Sequence, residues 1–117
     1  MSDPINPAHY KTYPDGVYAE CIEYTRVMGF SQGSAFKYVY RCGRKDDSLQ
    51  ELCKAAWYLD DCITHGPVGA HAQYLAVPRI NPDAGWQAQV LDHIAGGMVW
   101  KALRLVQQEI ARLEETK

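Results

Sequence analysis

Between Lys37 and Lys45 the chain carries four positive charges, Lys37, Arg41, Arg44 and Lys45, and no negative one. Lys37, Arg41 and Arg44 follow at i, i+4 and i+7, so on a helix all three project from one face. Phe36, Val39, Tyr40 and Gly43 fall on another face, which is free to be buried. Further on, Lys54, Trp57, Tyr58 and Asp61 share one side of a second helical pattern. Cations beside aromatic rings suit a nucleotide, the cation for phosphate and the ring for the base. The same pattern also describes a core aromatic stripe beside a solvated basic face, and spacing alone leaves both readings open.

These residues need helices to position them. Residues 1–16 hold three prolines and close on Asp15-Gly16, so they read as an extended arm carrying His9 and Tyr10. His9 and Tyr10 either pin that arm to the helices or reach over a ligand. Residues 17–29 predict a first helix, with Val17, Cys21, Tyr24 and Met28 as its apolar stripe and Gly29 at its end. Ser31 is expected to cap the helix with the basic face, which Gly43 ends. Ser48 with Glu51 three residues on forms a capping box for a third helix, which runs to about Thr64 and stops at Gly66-Pro67.

Residues 66–85, rich in proline and glycine, read as a connector in which 73–77 could pair as a short strand. A long helix is then expected over 86–115, opened by Asn81 or Asp83. Leu91, Ala95, Val99, Ala102, Val106, Ile110 and Leu113 form one apolar seam along it, flanked by Trp86, Val90, Gly97 and Trp100. Apolar rows on two sides predict self-association through this helix. Gly96-Gly97 marks a break in it or a close backbone approach. The expected fold is all-α: a compact bundle of three short helices (17–65) plus a long C-terminal helix, with an extended N-terminal arm, in one domain over 1–117.

The chain has 117 residues, 47% of them hydrophobic and 22% charged, which is ordinary for a globular domain with a real core. A net charge of −2 argues against a nucleic-acid polymer as partner and leaves the 37–45 cluster to attract a small anion. Cysteines at 21, 42, 53 and 62 form no Cys-x-x-Cys pair, and with the four histidines they give no zinc spacing, so no metal site is assigned. They read as small buried thiols. The polar, proline-rich start and the lack of a long apolar run predict a cytoplasmic protein without a membrane span.

No Walker-type phosphate loop, dinucleotide fingerprint or nucleophile elbow is present. Glu20 and Glu23 make a Glu-x-x-Glu pair that could hold magnesium beside a nucleotide, as in helical pyrophosphatases. The second acidic pair such an enzyme needs is missing, because Lys54 stands three residues after Glu51 and only Asp60 and Asp61 could replace it.

Three blocks resemble a known family. They are Pro7-Ala8-His9-Tyr10-Lys11, the run Ala35-Phe36-Lys37-Tyr38-Val39-Tyr40-Arg41-Cys42-Gly43-Arg44-Lys45-Asp46, and Leu52-Cys53-Lys54-Ala55-Ala56-Trp57-Tyr58-Leu59. Over residues 6–63 they are similar to the SaV-like family of short tailed-bacteriophage proteins, often described as nucleotide kinase-like. Residues 66–117 have no counterpart in that resemblance. It implies an all-helical nucleotide binder without a phosphate loop, working in the infected bacterial cell, one member being a deoxynucleoside monophosphate kinase. The family positions present here are His9, Tyr10, Lys37, Tyr38, Arg41, Arg44, Lys45, Lys54 and Tyr58, with Trp57 beside them. Two alternatives stand next to the kinase. One is a non-catalytic sponge that sequesters a nucleotide-derived signal of host defence. The other is a helical module that anchors a host protein through Trp86 and Trp100.

Overall fold

A computed structural model describes residues 13–43, 47–66 and 77–116, and these are helical without a β-strand. Among the described residues five α-helices follow in order: α1 (Cys21–Thr25), α2 (Phe30–Tyr40), α3 (Ser48–His65), α4 (Trp86–Ala95) and α5 (Val99–Glu115), with a 3-10 turn, Pro82–Ala84, before α4. The fold is all-α, with a long C-terminal helix. His9, Tyr10, Arg44, Lys45 and most of the 73–77 segment lie outside the described residues.

The first helix is shorter than the apolar stripe of 17–29 predicts. Val17 is extended and makes an isolated antiparallel bridge with Ile80. Its amide is turned back onto the Pro14 carbonyl at 3.0 Å. Gly16 has φ +82, which a residue with a Cβ adopts only at a cost, and its carbonyl accepts from the Asn81 amide at 2.8 Å. Tertiary pairing with 80–81 thus overrides helix formation ahead of Cys21.

The span expected as one helix over 86–115 is two helices. α4 ends with Gly97 in the left-handed region at φ +82; the Met98 amide donates to His93 O at 2.8 Å and the Gly97 amide to Ile94 O at 3.1 Å. That crossed pair is the Schellman ending, and glycine at its left-handed position removes the Cβ penalty. The break folds both halves onto the same core, where α4 packs on α2 and α5 packs on α3 and α4. Leu91, Ala95, Val99, Ala102 and Val106 are all buried within this one chain. The seam that predicted self-association is therefore packed internally from Leu91 to Val106, whereas Ile110 and Leu113 are half-buried and Trp100 is exposed.

Helix ends also differ from their sequence signals. α3 is capped by Asp47, whose side chain accepts from the Leu49 amide at 2.9 Å, rather than by Ser48. α2 starts one residue before Ser31, with Gly29 at the cap position. Ser31, and Glu51 of the expected α3 capping box, have tertiary partners instead, as described below.

The core is knitted by aromatic and amide contacts between helices. Tyr24 stacks on Phe36 at 5.0 Å between centroids. The Tyr40 hydroxyl donates to Ala19 O at 2.9 Å, and buried Gln32 donates from Nε2 to Ile94 O at 2.8 Å. Gln87 Nε2 reaches the carbonyls of Val39, Tyr40 and Cys42 at 2.7, 3.2 and 3.3 Å, closing the C-terminal end of α2 with a side chain from α4. Together these tie α2 to α1 and α4, while α2 also packs directly on α3, and α2 and α3 carry the charged and aromatic cluster. Among the described residues no helix is long and apolar enough to cross a membrane.

Candidate functional site

Amphipathic phase decides what α2 presents. Ala35, Phe36, Val39 and Tyr40 are buried, as their spacing predicts, which turns Phe30, Lys37 and, in part, Tyr38 and Arg41 outward. On α3, burial of Leu52, Ala55, Leu59 and Cys62 does the same for Lys54, Trp57 and Tyr58. The two helices are directly packed, so the two outward stripes meet.

Their meeting place is an aromatic platform. Tyr38 and Tyr58 lie nearly parallel, with centroids 5.9 Å apart and planes 12° from coincidence. Phe30 and Trp57 set edges against Tyr58 at 5.8 and 5.1 Å. The Lys37 and Lys54 ammonium groups sit over the Tyr38 ring, at 5.0 and 5.4 Å from its centroid. Ring quadrupoles attract cations at such distances, so the platform holds both charges near one ring. Trp57 is 65% exposed and Phe30 79%, so these faces are open to a partner molecule.

Five of the expected site residues, Lys37, Tyr38, Lys54, Trp57 and Tyr58, are thus brought together. Arg41 is engaged differently. Its Nε stands 3.2 Å from Oε2 of Glu51, a carboxylate buried to 3% exposure, and Lys54 Nζ lies 4.0 Å from the other carboxylate oxygen. Glu51 Oε2 lacks a hydrogen bond of good geometry, so its burial is compensated by charge proximity rather than by an aligned donor. The glutamate expected to complete a capping box is instead the buried counter-ion that joins the two basic stripes. Arg41, Lys37 and Lys54 bring three cations to this face, with Glu51 as a buried carboxylate between the two helices.

Sequence reasoning also missed Phe30 and the carboxylate pair of Asp61. Phe30 is legible in retrospect, since 30, 34, 37 and 41 fall on one helical stripe. The Ser31 hydroxyl, expected as a cap, donates to Asp61 Oδ2, while Asp61 Oδ1 lies 3.0 Å from His65 Nδ1. The Ser31 hydrogen bond and then His65 hold the Asp61 carboxyl below its ordinary range. The carboxylate stands between the serine and the histidine, so the imidazole has no access to the serine proton and the trio is no nucleophilic triad.

On the other side of α2 lies a cleft of about 410 Å³ between α1 and α2, with Lys37 at its edge. Cys21 lines it, and burial pushes that thiol up to about 11, against the opposing effect of Lys37. Cys62 is buried, whereas Cys53 is exposed, contrary to the expectation of buried thiols throughout. Among the described residues no group of three or more His, Cys, Asp or Glu side chains is placed to hold a metal ion, and Glu20 and Glu23 gather no third ligand.

A family model described as a protein of unknown function (DUF3310) matches residues 5–60. The match spans α1, α2 and most of α3, and so takes in the whole platform and the cleft. No curated protein and no solved structure matches the chain.

Proposed function

We propose that the face shared by α2 and α3 binds a nucleotide, with phosphates between Lys37 and Lys54 and the base against the exposed rings of Trp57 and Phe30. The observation that carries this reading is the placement of two ammonium groups from different helices over one tyrosine ring, itself stacked on a second. The two charges stand no farther apart than the sum of their distances to that ring, a separation suited to a chain of phosphates. Buried Glu51 supports the arrangement by anchoring Arg41 and by tethering Lys54 from below. A serine-type hydrolase has no comparable support.

The activity we assign is kinase-like. The terminal phosphoryl group of a nucleoside triphosphate passes to a phosphate oxygen of a deoxynucleoside monophosphate, which gives two diphosphates. Such transfer depends on positioning and on neutralising charge, which lysines beside a stacking platform supply. The resemblance to phage nucleotide kinase-like proteins supports the same assignment. If the chain also assembles with copies of itself, the exposed Trp100 or the exposed Ile22, Phe30 and Trp57 offer the surface, since the seam is already covered from Leu91 to Val106.

The test has two arms on the purified full-length chain. Denaturation followed by mass spectrometry of the released small molecules is expected to yield a nucleotide. Incubation with ATP and each deoxynucleoside monophosphate is expected to yield ADP and the matching diphosphate. Release of an intact nucleotide without turnover would replace the kinase with a sponge. Neither release nor binding would remove the nucleotide altogether and leave the exposed rings to a protein partner.

A further inference from the structure

The α1–α2 cleft takes no part in the platform, yet it shares two residues with it. Phe30 lines the cleft and sets its edge on Tyr58; Lys37 lines the cleft and sits over Tyr38. They lie two turns apart on α2 and form the wall between the two spaces. At about 410 Å³ the cleft falls within the range of small-molecule sites.

Its lining is selective. Ile22, Met28 and Phe30 give apolar walls, while Thr25 and Ser34 contribute hydroxyls. Among the described residues that line it, Lys37 alone is charged, because burial keeps the Cys21 thiol neutral. An apolar slot with hydroxyls and one cation at the edge fits a flat heteroaromatic base joined to a single phosphate. A fatty chain would leave the hydroxyls unused.

Gly33 gives an independent mark that the space is kept open. It stands inside α2, where glycine is less stabilising than alanine. A Cβ built there would meet Thr25 and Met28 only at 3.6 and 3.7 Å, an ordinary van der Waals contact. The packing does not forbid a side chain at this position; a side chain longer than a methyl group would fill the cleft.

We propose that the cleft is a second nucleotide subsite, which takes the nucleoside of a monophosphate and brings its phosphate to Lys37, beside the phosphate chain held on the platform. This rests on the platform reading and deepens it. Two adjoining subsites with one lysine between them are what transfer between two nucleotides requires, and a sponge needs only one.

The test is calorimetric titration of the full chain with dTMP and, separately, with adenylyl imidodiphosphate, a non-hydrolysable ATP analogue. Two sites of different preference are expected. Gly33→Leu should weaken dTMP at least tenfold and leave the ATP analogue within twofold, while Lys37→Gln should weaken both. If Gly33→Leu fails to fold, Thr25→Leu narrows the same cleft from α1 and carries the same expectation. Binding of the ATP analogue alone, or equal dTMP affinity in the folded cleft variants and the parent, would overturn the second subsite while the platform stands. No binding of either nucleotide by the parent chain would overturn both.

Discussion

Arg41→Ala tests how the site is held together. Glu51 is 3% exposed, and Arg41 Nε at 3.2 Å is its nearest counter-charge; Lys54 is more distant at 4.0 Å. Removing one partner of a fully buried pair costs ~3–5 kcal/mol, because the other charge is left behind uncompensated. The Arg41 side chain is 38% exposed, so solvent screening reduces that loss, and Lys54 retains part of the compensation. We expect a destabilisation of about 2 kcal/mol, or a fall in Tm of ~8 °C for a domain of this size. Glu51→Gln alone removes the buried charge and leaves a partly solvated arginine, so its cost should stay below about 1 kcal/mol. The informative protein is the double variant, which should recover most of the Arg41→Ala loss. Thermal melts followed by circular dichroism, with urea titrations at one temperature, give all four corners of the cycle. Strict additivity, or an Arg41→Ala melt within 2 °C of the parent, would refute the role of Glu51 as buried counter-ion.

Three further outcomes follow from the fold. Gly16→Ala should be far more damaging than Gly43→Ala: at Gly16 a Cβ meets Asn81 O at 2.5 Å and Ala84 Cβ at 2.6 Å, whereas at Gly43 nothing lies within 4 Å. Both residues have positive φ, so each substitution costs ~1–2 kcal/mol of backbone strain, and comparative melts should show the extra steric loss at Gly16 alone. Ser31→Ala removes the main cause of the lowered Asp61 carboxyl. A depressed carboxyl stabilises the fold above its unfolded pKa and loses that contribution as pH falls through the folded one, so the stability gap between parent and variant should be full at pH 7 and close in acid, below about pH 4. Gln87→Ala removes a side-chain donor shared by the Val39, Tyr40 and Cys42 carbonyls at and just beyond the end of α2 and should cost ~1–3 kcal/mol in urea unfolding, with Gln87→Glu worse because a carboxylate cannot donate.

What was legible in the sequence is what depends on local periodicity. The phases of α2 and α3 put Phe36, Val39 and Leu59 in the core and Lys37, Lys54 and Trp57 outside, and that alone brings the cations to the aromatic rings. The apolar seam of residues 91–106 was legible too, but its partner was not, because the same row satisfies a neighbouring copy or its own chain after a turn at Gly97. Capping signals at Ser31 and Ser48 misled for a shared reason. A polar side chain in the first turn of a helix can serve either the backbone or a tertiary partner, and here Ser31 serves Asp61 while Glu51, the far member of the Ser48 capping box, serves Arg41. The cleft was out of reach, since it needs the angle between α1 and α2, which Tyr24, Phe36 and the 16–81 pairing set through long-range contacts.

The central claim is that Lys37 and Lys54 hold phosphate beside the tyrosine platform. Calorimetric titration of the full chain with ATP, alongside Lys37→Gln and Lys54→Gln, tests it most directly. Each charge-assisted contact contributes ~1.5–3 kcal/mol, so each variant should bind roughly ten- to over a hundredfold more weakly while its melting curve stays near that of the parent. Saturable binding by the parent with this loss in both variants is the predicted result. Variants that fold and bind within twofold of the parent, or a parent that gives no binding heat at millimolar ATP, would contradict it.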